Sequence, residues 1–240
     1  MIICIRRKCV IGFSLIVLIG LGWILWIMKQ PPLPVSGQST LADAAPVIVI
    51  DPGHGGEDGG AVAADGTVES SVNLAISKRL QLLLCFSGQT SCMTRTSEIS
   101  LHSKNAETIR EKKVSDLKNR VKMVNAISQA VLVSIHQNCL PSSPDVQGAQ
   151  VFYNAMAGAD VLAENVQTML NQSINPEHPK KAYPIASGIY LMRNVKAPAI
   201  LVECGFLSNK QETHMLNTAA YQLRLAAVLA SGILQIETRK

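Results

Sequence analysis

Aromatic residues are scarce in this chain, at 4% of 240 positions, and charged residues reach only 16%. The positive charges do not gather into a basic patch interleaved with aromatic rings, so the sequence does not indicate nucleic acid as a partner. The chain lacks a G-x-G-x-x-G turn, which argues against a dinucleotide site. None of its six cysteines forms a C-x-x-C pair, which argues against a cysteine-based metal or redox motif.

Residues 10–28 form an apolar run without a charged side chain, and three basic residues precede it closely, Arg6, Arg7 and Lys8. A helix rises about 1.5 Å per residue, so a run of this length covers most of a hydrocarbon core roughly 30 Å thick. The positive-inside rule then leaves residues 1–9 in the cytoplasm and exports the rest of the chain. We therefore predict a single-pass membrane protein with an uncleaved transmembrane helix over residues 10–28.

A cleaved signal peptide is the alternative, because Ala42-Asp43-Ala44 has the small-x-small form of a cleavage site. That site lies well beyond the apolar run, and the run is longer than the roughly 7–15 residues usual for a signal peptide, which favours the anchor. Prolines and small residues between positions 29 and 46 predict a flexible linker. In an exported domain, Cys85 and Cys92 could form a disulfide, or each could be a separate buried residue.

Apolar runs alternate with amphipathic stretches along residues 47–240, which predicts one α/β domain whose mostly parallel sheet is covered by helices on both faces. The predicted strands are 47–50, 93–95, 131–136, 148–153, 188–193 and 199–203. The predicted helices are 68–86, 117–127, 161–174 and 221–236, with Leu223 on the buried side of the last one. The charged stretch 99–115 is predicted to be an exposed loop or a frayed helix, and no internal repeat is visible.

The first predicted strand ends in the glycine-rich loop Asp51-Pro52-Gly53-His54-Gly55-Gly56. Glycines let the backbone turn sharply and let a ligand approach, and ligands bind at the carboxyl ends of strands in open α/β sheets. His54 is therefore a candidate metal ligand, although a surface histidine in a simple turn explains it equally well. The choice depends on whether distant parts of the chain supply partners.

Three other residues are candidates for such partners. His136 and Glu203 lie at the ends of predicted strands, and Glu69 begins the helix that follows the first loop. Two histidines and one carboxylate with an open fourth position are the usual set for catalytic zinc, and a second carboxylate is then needed to move the water's proton. There is no H-E-x-x-H helix. Spacing alone leaves a zinc site and coincidental strand-end histidines equally open.

Seven short motifs follow one another along the chain: D-P-G-H-G-G at 51–56, E-x-x-x-N-L at 69–74, T-R at 94–95, R-x-x-x-x-N at 120–125, S-I-H-x-N at 134–138, G-x-x-x-x-Y at 148–153 and V-E-x-G-F-L-S-N at 202–209. In this order they resemble the motifs of the zinc-dependent N-acetylmuramoyl-L-alanine amidases of the amidase 3 family. The resemblance implies one zinc ion held by His54, Glu69 and His136, with Glu203 as the catalytic glutamate. The implied reaction cleaves the amide between the lactyl group of N-acetylmuramic acid and L-alanine of the peptidoglycan stem peptide.

Four further residues are candidates for supporting roles: Asp51, Asn138, Arg193 and Asn209. Asp51 is expected to orient His54, because metal-bound imidazoles usually donate their second N–H to such a group. Arg193 or Asn209 could contact the stem peptide, although surface solvation is the simpler explanation of each. Asn138 is a candidate for contact with the substrate or with a ligand residue.

Within the family, the sequence is most similar to the germination-specific amidases, which help to form muramic δ-lactam in spore cortex. The predicted membrane anchor and single catalytic domain, without wall-binding repeats, agree with that subgroup. This resemblance implies a domain on the outer face of a bacterial membrane, with peptidoglycan as its partner and no protein partner identified. A zinc exopeptidase and a non-catalytic wall-binding homologue remain alternative functions.

Overall fold

Six strands form the sheet at the centre of residues 45–235, the part of the chain that the computed structural model describes. They are β1 (Val47–Pro52), β2 (Ser91–Met93), β3 (Ala130–Asn138), β4 (Gln150–Tyr153), β5 (Tyr183–Pro184) and β6 (Ala199–Phe206). Their order across the sheet is β2-β1-β3-β6-β4-β5. β1, β2, β3 and β6 are parallel, β4 is antiparallel to β6, and β5 is parallel to β4, so the sheet is mixed.

Helices cover both faces of this sheet, as the alternating sequence pattern predicts. They are α1 (Glu69–Phe86), α2 (Ile109–Asn125), α3 (Ala159–Ser173), α4 (Tyr190–Asn194), α5 (Lys210–Leu216) and α6 (Ala219–Leu234). α1, α3 and α6 bury one face around residues such as Leu80, Leu162 and Leu229. α2 and α4 bury the other face around Val124 and Leu191. The prediction of an α/β domain with helices on both faces is confirmed.

The register of the three central strands determines which residues lie at the edge of the sheet where the parallel strands end. Pro52, the last residue of β1, pairs with Ile135 of β3. His136 follows in β3 and pairs with Glu203 of β6, and the register shifts between His136 and Asn138. The loop after β1 and the beginning of α1 lie at this same edge, because α1 returns antiparallel to the strands. The candidate residues therefore come from four separate elements that meet at one edge.

Two sequence predictions for local structure are wrong. The sequence predicts a strand over residues 188–193, but residues 190–194 form the short helix α4, whose Leu191 and Met192 are buried. A short apolar run does not distinguish a strand from a buried helical turn, and here the turn covers a face that a strand would leave open. On α6, Leu223 lies on the exposed side instead of the buried side, at 49% exposure.

The long charged segment before the second helix is also more ordered than the sequence prediction allowed. α2 begins at Ile109, because Thr108 and Glu111 form a capping box in which each side chain accepts a backbone N–H of the other residue. This signal was readable in the sequence as Thr-x-x-Glu. The preceding loop is fastened to α2 by Asp116, which accepts hydrogen bonds from the Ser100 hydroxyl and the Leu101 amide.

The predicted segments 1–9 and 10–28 and nearly all of the linker 29–46 lie outside the described residues. Within residues 45–235, no helix combines the length and apolarity needed to cross a membrane. Cys85 and Cys92, considered above as a disulfide pair, are free thiols in this structure.

Candidate active site

His54, Glu69 and His136 converge at the edge of the sheet. Their possible metal-ligating atoms all lie within 4.8 Å of one another. Glu69 Oε1 is 3.0 Å from His136 Nδ1 and 3.3 Å from His54 Nε2, and the two imidazole rings meet edge to face. Two imidazoles and one carboxylate are a donor set that suits Zn²⁺ with an open fourth position. The residues present therefore fit the metal that the sequence motifs imply.

Two glycines provide the space for this convergence. A Cβ atom on Gly53 would overlap the His136 ring. Gly60 has a positive φ of 73°, and a Cβ there would overlap the Glu69 carboxylate and the His54 ring. Any larger residue at either position would push the three candidate ligands apart. Gly53, in the first motif, and Gly60, four residues after it, thus allow close packing of side chains around a common point.

His54 itself has an unusual backbone conformation, with a φ of 61° in the left-handed region that non-glycine residues rarely adopt. The loop is closed by a hydrogen bond from the Gly55 amide to the Asp58 carbonyl. This turn brings the Asp58 carboxylate to 3.1 Å from His54 Nδ1. The His54 ring is therefore held between Asp58 on Nδ1 and Glu69 on Nε2.

These contacts change the charge of His54. Burial alone would lower the pKa of the imidazole, but the hydrogen bonds and negative charges of Asp58 and Glu69 outweigh burial and raise it to about 9. The pKa of Asp58 is lowered, chiefly by its hydrogen bond with His54. Without a metal ion, His54 is therefore a cation at neutral pH, paired with two carboxylates.

The expectation that Asp51 orients His54 is wrong. The buried Asp51 carboxylate accepts hydrogen bonds from the Thr94 hydroxyl at 2.6 Å, the Ser134 hydroxyl at 2.8 Å and Arg120 Nη1 at 2.6 Å. Burial would raise its pKa, but the Arg120 charge and these hydrogen bonds lower it below its ordinary value. Asp51 and Asp58 are both close to His54 in sequence, but the turn at Gly55 places Asp58, and not Asp51, in contact with the His54 ring.

Arg95 and Arg120, both almost fully buried, hold the backbone of the first motif. Arg120 donates to the Pro52 carbonyl at 2.9 Å and to the His54 carbonyl at 2.6 Å. Arg95 donates to the Pro52 carbonyl at 3.0 Å and to the Gly53 carbonyl at 2.9 Å. Three consecutive carbonyl groups are thus fixed by two guanidinium groups, and Asp51 acts on the loop only through Arg120.

Glu69 is fixed by a second network on the other side of the site. Its Oε1 accepts hydrogen bonds from the Gln137 amide at 3.1 Å and from Asn73 Nδ2 at 3.3 Å, and its Oε2 accepts one from the Ala61 amide at 2.9 Å. Burial would raise the pKa of Glu69, but His136 and His54 lower it well below its usual range. Glu69 is consequently an anion in a fixed orientation.

Glu203 is close to this cluster but makes different contacts. It pairs with His136 across β3 and β6, and its buried Oε2 has no hydrogen-bond partner among the described residues. Burial raises the pKa of Glu203 to about 7, and the Coulombic effects of His136 and His54, which lower it, oppose the shift only in part. A buried carboxylate that exchanges a proton near neutral pH, with one oxygen free, is suited to general acid–base work.

Glu203, His54 and His136 share the lining of a cavity of about 340 Å³. Its polar wall includes Asp58, Lys113, Asp116 and Arg120, and its apolar wall includes Leu117, Ile189, Leu191, Met192 and Leu201. The cavity is large enough for part of a peptide or sugar beside the candidate ligands.

Three of the four proposed supporting residues do not line this cavity. Asn138 turns its side chain to the Cys139 amide. Asn209 caps α5 by accepting hydrogen bonds from the Gln211 and Glu212 amides. Arg193 is exposed and lines a different depression, beside Tyr153 and Ile185. Within the described residues these three side chains have structural or surface contacts, and their contact with the substrate stays a prediction.

The comparisons with known proteins agree with this geometry. Residues 48–235 match the model of the amidase 3 family, described as N-acetylmuramoyl-L-alanine amidase. The germination-specific N-acetylmuramoyl-L-alanine amidase of Bacillus subtilis is 34% identical over 88% of this chain and 85% of its own length. The CwlD amidase of Clostridioides difficile, solved in complex with the GerS lipoprotein, has a TM-score of 0.77 and 33% identity, covering 81% of this chain and 100% of that one. The amidase AmiC2 of Nostoc punctiforme has a TM-score of 0.69 and 30% identity, and the match covers 81% of this chain and 98% of that one.

The fold and the cluster of two histidines with two glutamates thus define a hydrolase of the bacterial cell wall. The chain belongs to the amidase 3 family, and it is an N-acetylmuramoyl-L-alanine amidase that acts on peptidoglycan.

Proposed function

We propose that this amidase depends on one zinc ion, held by His54, Glu69 and His136, and that Glu203 is its catalytic residue. The observation that carries the proposal is the convergence of the three candidate ligands within 4.8 Å, with Glu203 beside them across the sheet. The reaction is hydrolysis of the amide between the lactyl group of N-acetylmuramic acid and L-alanine of the stem peptide.

The protein contributes position and proton transfer to this reaction. Bound zinc supplies a Lewis acid that polarises a carbonyl and lowers the pKa of water to about 7. The Glu203 carboxylate, whose Oε2 has no hydrogen-bond partner among the described residues, accepts the proton of the attacking water and delivers it to the nitrogen of the leaving L-alanine. Asp58 holds the His54 ring through Nδ1, and Gln137 and Asn73 hold the Glu69 carboxylate.

Mass spectrometry of digested peptidoglycan tests this function. Purified full-length protein with zinc should release intact stem peptides that begin with L-alanine, and a chelator should stop the release until zinc is added back. Free terminal amino acids as products would instead indicate the zinc exopeptidase. Binding to peptidoglycan without any product would indicate the non-catalytic wall-binding homologue.

The charge of His54 predicts how zinc affinity depends on pH. A ligand nitrogen must lose its proton to bind metal, so zinc affinity of the wild type should rise with pH until His54 is neutral, near pH 9. Asp58→Asn removes a carboxylate that raises the His54 pKa, so the rise should end at a lower pH. Competition with a chromogenic chelator between pH 6 and 10 measures both curves. Coincident curves for the two proteins would contradict the proposed role of Asp58.

We also propose that residues 10–28 anchor the domain on the outer face of a bacterial membrane and that the enzyme acts in spore cortex maturation. The uncharged apolar run after Arg6, Arg7 and Lys8 supports the anchor. Similarity to the germination-specific amidase of Bacillus subtilis supports the sporulation role. Spores that lack this chain should have a cortex without muramic δ-lactam, as measured by muropeptide analysis. A normal δ-lactam content would favour general remodelling of the cell wall.

A further inference from the structure

Arg120 and Lys113, the two basic side chains that line the cavity, differ in how many of their N–H donors already have partners in the protein. Arg120 is buried, and its guanidinium donates to Asp51, Asp116 and two backbone carbonyls. Lys113, in the second turn of α2, keeps 54% of its side chain exposed while its Nζ contacts Asp58 Oδ2 at 3.2 Å. An ammonium group has three N–H donors, so Lys113 retains donors that a ligand in the cavity can use.

Lys113 is also close to the reacting centre. Asp58 Oδ2, which Lys113 contacts, is itself 3.1 Å from His54 Nδ1, so two short contacts in series join the ammonium to the imidazole. The same cavity is also lined by Ile189, Leu191 and Met192, from α4 and the residue before it. A ligand in this space therefore meets both a positive charge and aliphatic side chains.

We propose that Lys113 forms a carboxylate subsite, which favours stem peptides that carry a free carboxylate on the residue after L-alanine. The subsite rests on the proposed function, because it requires the scissile amide to lie beside His54. An extended peptide advances about 3.3–3.6 Å per residue, so a carboxylate one residue beyond L-alanine comes within reach of the Lys113 ammonium. The methyl group of L-alanine then faces the aliphatic wall, and Lys113 bridges Asp58 and the carboxylate of the substrate.

A pair of substrates tests the subsite: glycan fragments whose stem peptides carry either a free carboxylate or a carboxamide on the residue after L-alanine. The zinc-loaded, full-length wild type should cleave the carboxylate form with the higher kcat/KM. Lys113→Met should lower kcat/KM for the carboxylate form about tenfold, the loss expected for one charged hydrogen bond, and leave the carboxamide form within about twofold. Lys113→Arg should keep most of the preference.

Lys112→Met is the matched control, because Lys112 lies next to Lys113 on α2 but pairs with Glu57, outside the cavity lining. It should leave both substrates unaffected. Equal losses on both substrates in Lys113→Met would mean that Lys113 acts only by supporting Asp58, and would overturn the proposal. Equal cleavage of both substrates by the wild type would also overturn it, whereas cleavage of neither by the wild type would contradict the proposed function itself.

Discussion

Glu203→Gln is expected to keep about one zinc ion per chain and to lower the rate of amide hydrolysis by about 10²–10⁴-fold. Glutamine preserves the shape of the side chain but cannot accept a proton from water or deliver one to the leaving nitrogen. None of the three candidate zinc ligands depends on Glu203 for a hydrogen bond in this structure. Zinc content is measured by mass spectrometry of the metal, and hydrolysis by the release of stem peptides from peptidoglycan.

Glu212→Gln is the control that distinguishes a loss of catalysis in Glu203→Gln from a general loss of structure, because Glu212 is also a buried carboxylate. Glu212 accepts hydrogen bonds from the Gly148 and Phe206 amides, and burial raises its pKa as well, but it does not line the cavity. Glu212→Gln should therefore lower the free energy of unfolding and leave the rate per folded molecule nearly unchanged. Hydrolysis by Glu203→Gln at the wild-type rate would remove Glu203 from the mechanism.

The fold could be predicted from the sequence where one local pattern decides the structure. β1, β3 and β6 are continuous apolar runs and α1 has an apolar stripe at helical spacing, and these elements were located to within a few residues. The strand predicted over residues 188–193 is wrong, because burial of Leu191 and Met192 favours a helical turn that their sequence does not specify. The start of α2 was not predicted, although Thr108 and Glu111 form a capping box, because the charged composition of this stretch fits an exposed loop as well as a helix.

The same distinction applies to the active site, where some residues could be predicted from local sequence and others could not. The candidate ligands are strand-end or helix-start residues within recognisable motifs, so their roles could be predicted before their geometry was known. Their supporting residues could not be chosen in this way, because Arg120 and Asp51 are 69 residues apart in sequence and meet only in the fold. The choice between Asp51 and Asp58 as the partner of His54 depends on a single turn hydrogen bond at Gly55, which no spacing rule supplies.

Removal of Arg120 is expected to have the largest effect on stability. Arg120→Met leaves the buried Asp51 carboxylate without its countercharge and Asp116 without its contact at 2.6 Å. Breaking a buried pair from one side costs about 3–5 kcal/mol, because the remaining charge stays desolvated. Zinc affinity should fall as well, since the His54 and Pro52 carbonyls lose a donor that holds the loop. Urea unfolding and zinc titration measure the two effects.

Arg95→Met is the matched control for this loss, because Arg95 is equally buried and holds the same loop, but its only ion pair among the described residues is with the half-exposed Glu98. The Pro52 and Gly53 carbonyls that it leaves keep hydrogen bonds from Arg120 and Asn73. Its destabilisation should therefore be the smaller of the two. Equal losses in the two variants would mean that the loop contacts, and not the buried charge pair, carry the stability.

The pH dependence of the free energy of unfolding distinguishes the contribution of the Arg120 charge from the contribution of its packing. In the wild type the Asp51 pKa lies below its ordinary value of 3.8, so Asp51 stabilises the fold above that pH and the contribution is lost as the pH falls. In Arg120→Met, burial without a countercharge raises the Asp51 pKa above 3.8. Asp51 is then neutral below this raised pKa, and the variant is destabilised by a buried anion only at higher pH. The difference in unfolding free energy between the two proteins should therefore shrink as the pH falls towards 4, and Asp51→Asn added to Arg120→Met should recover part of it at neutral pH. A difference that stays constant with pH would show that Arg120 acts by packing and hydrogen bonding alone.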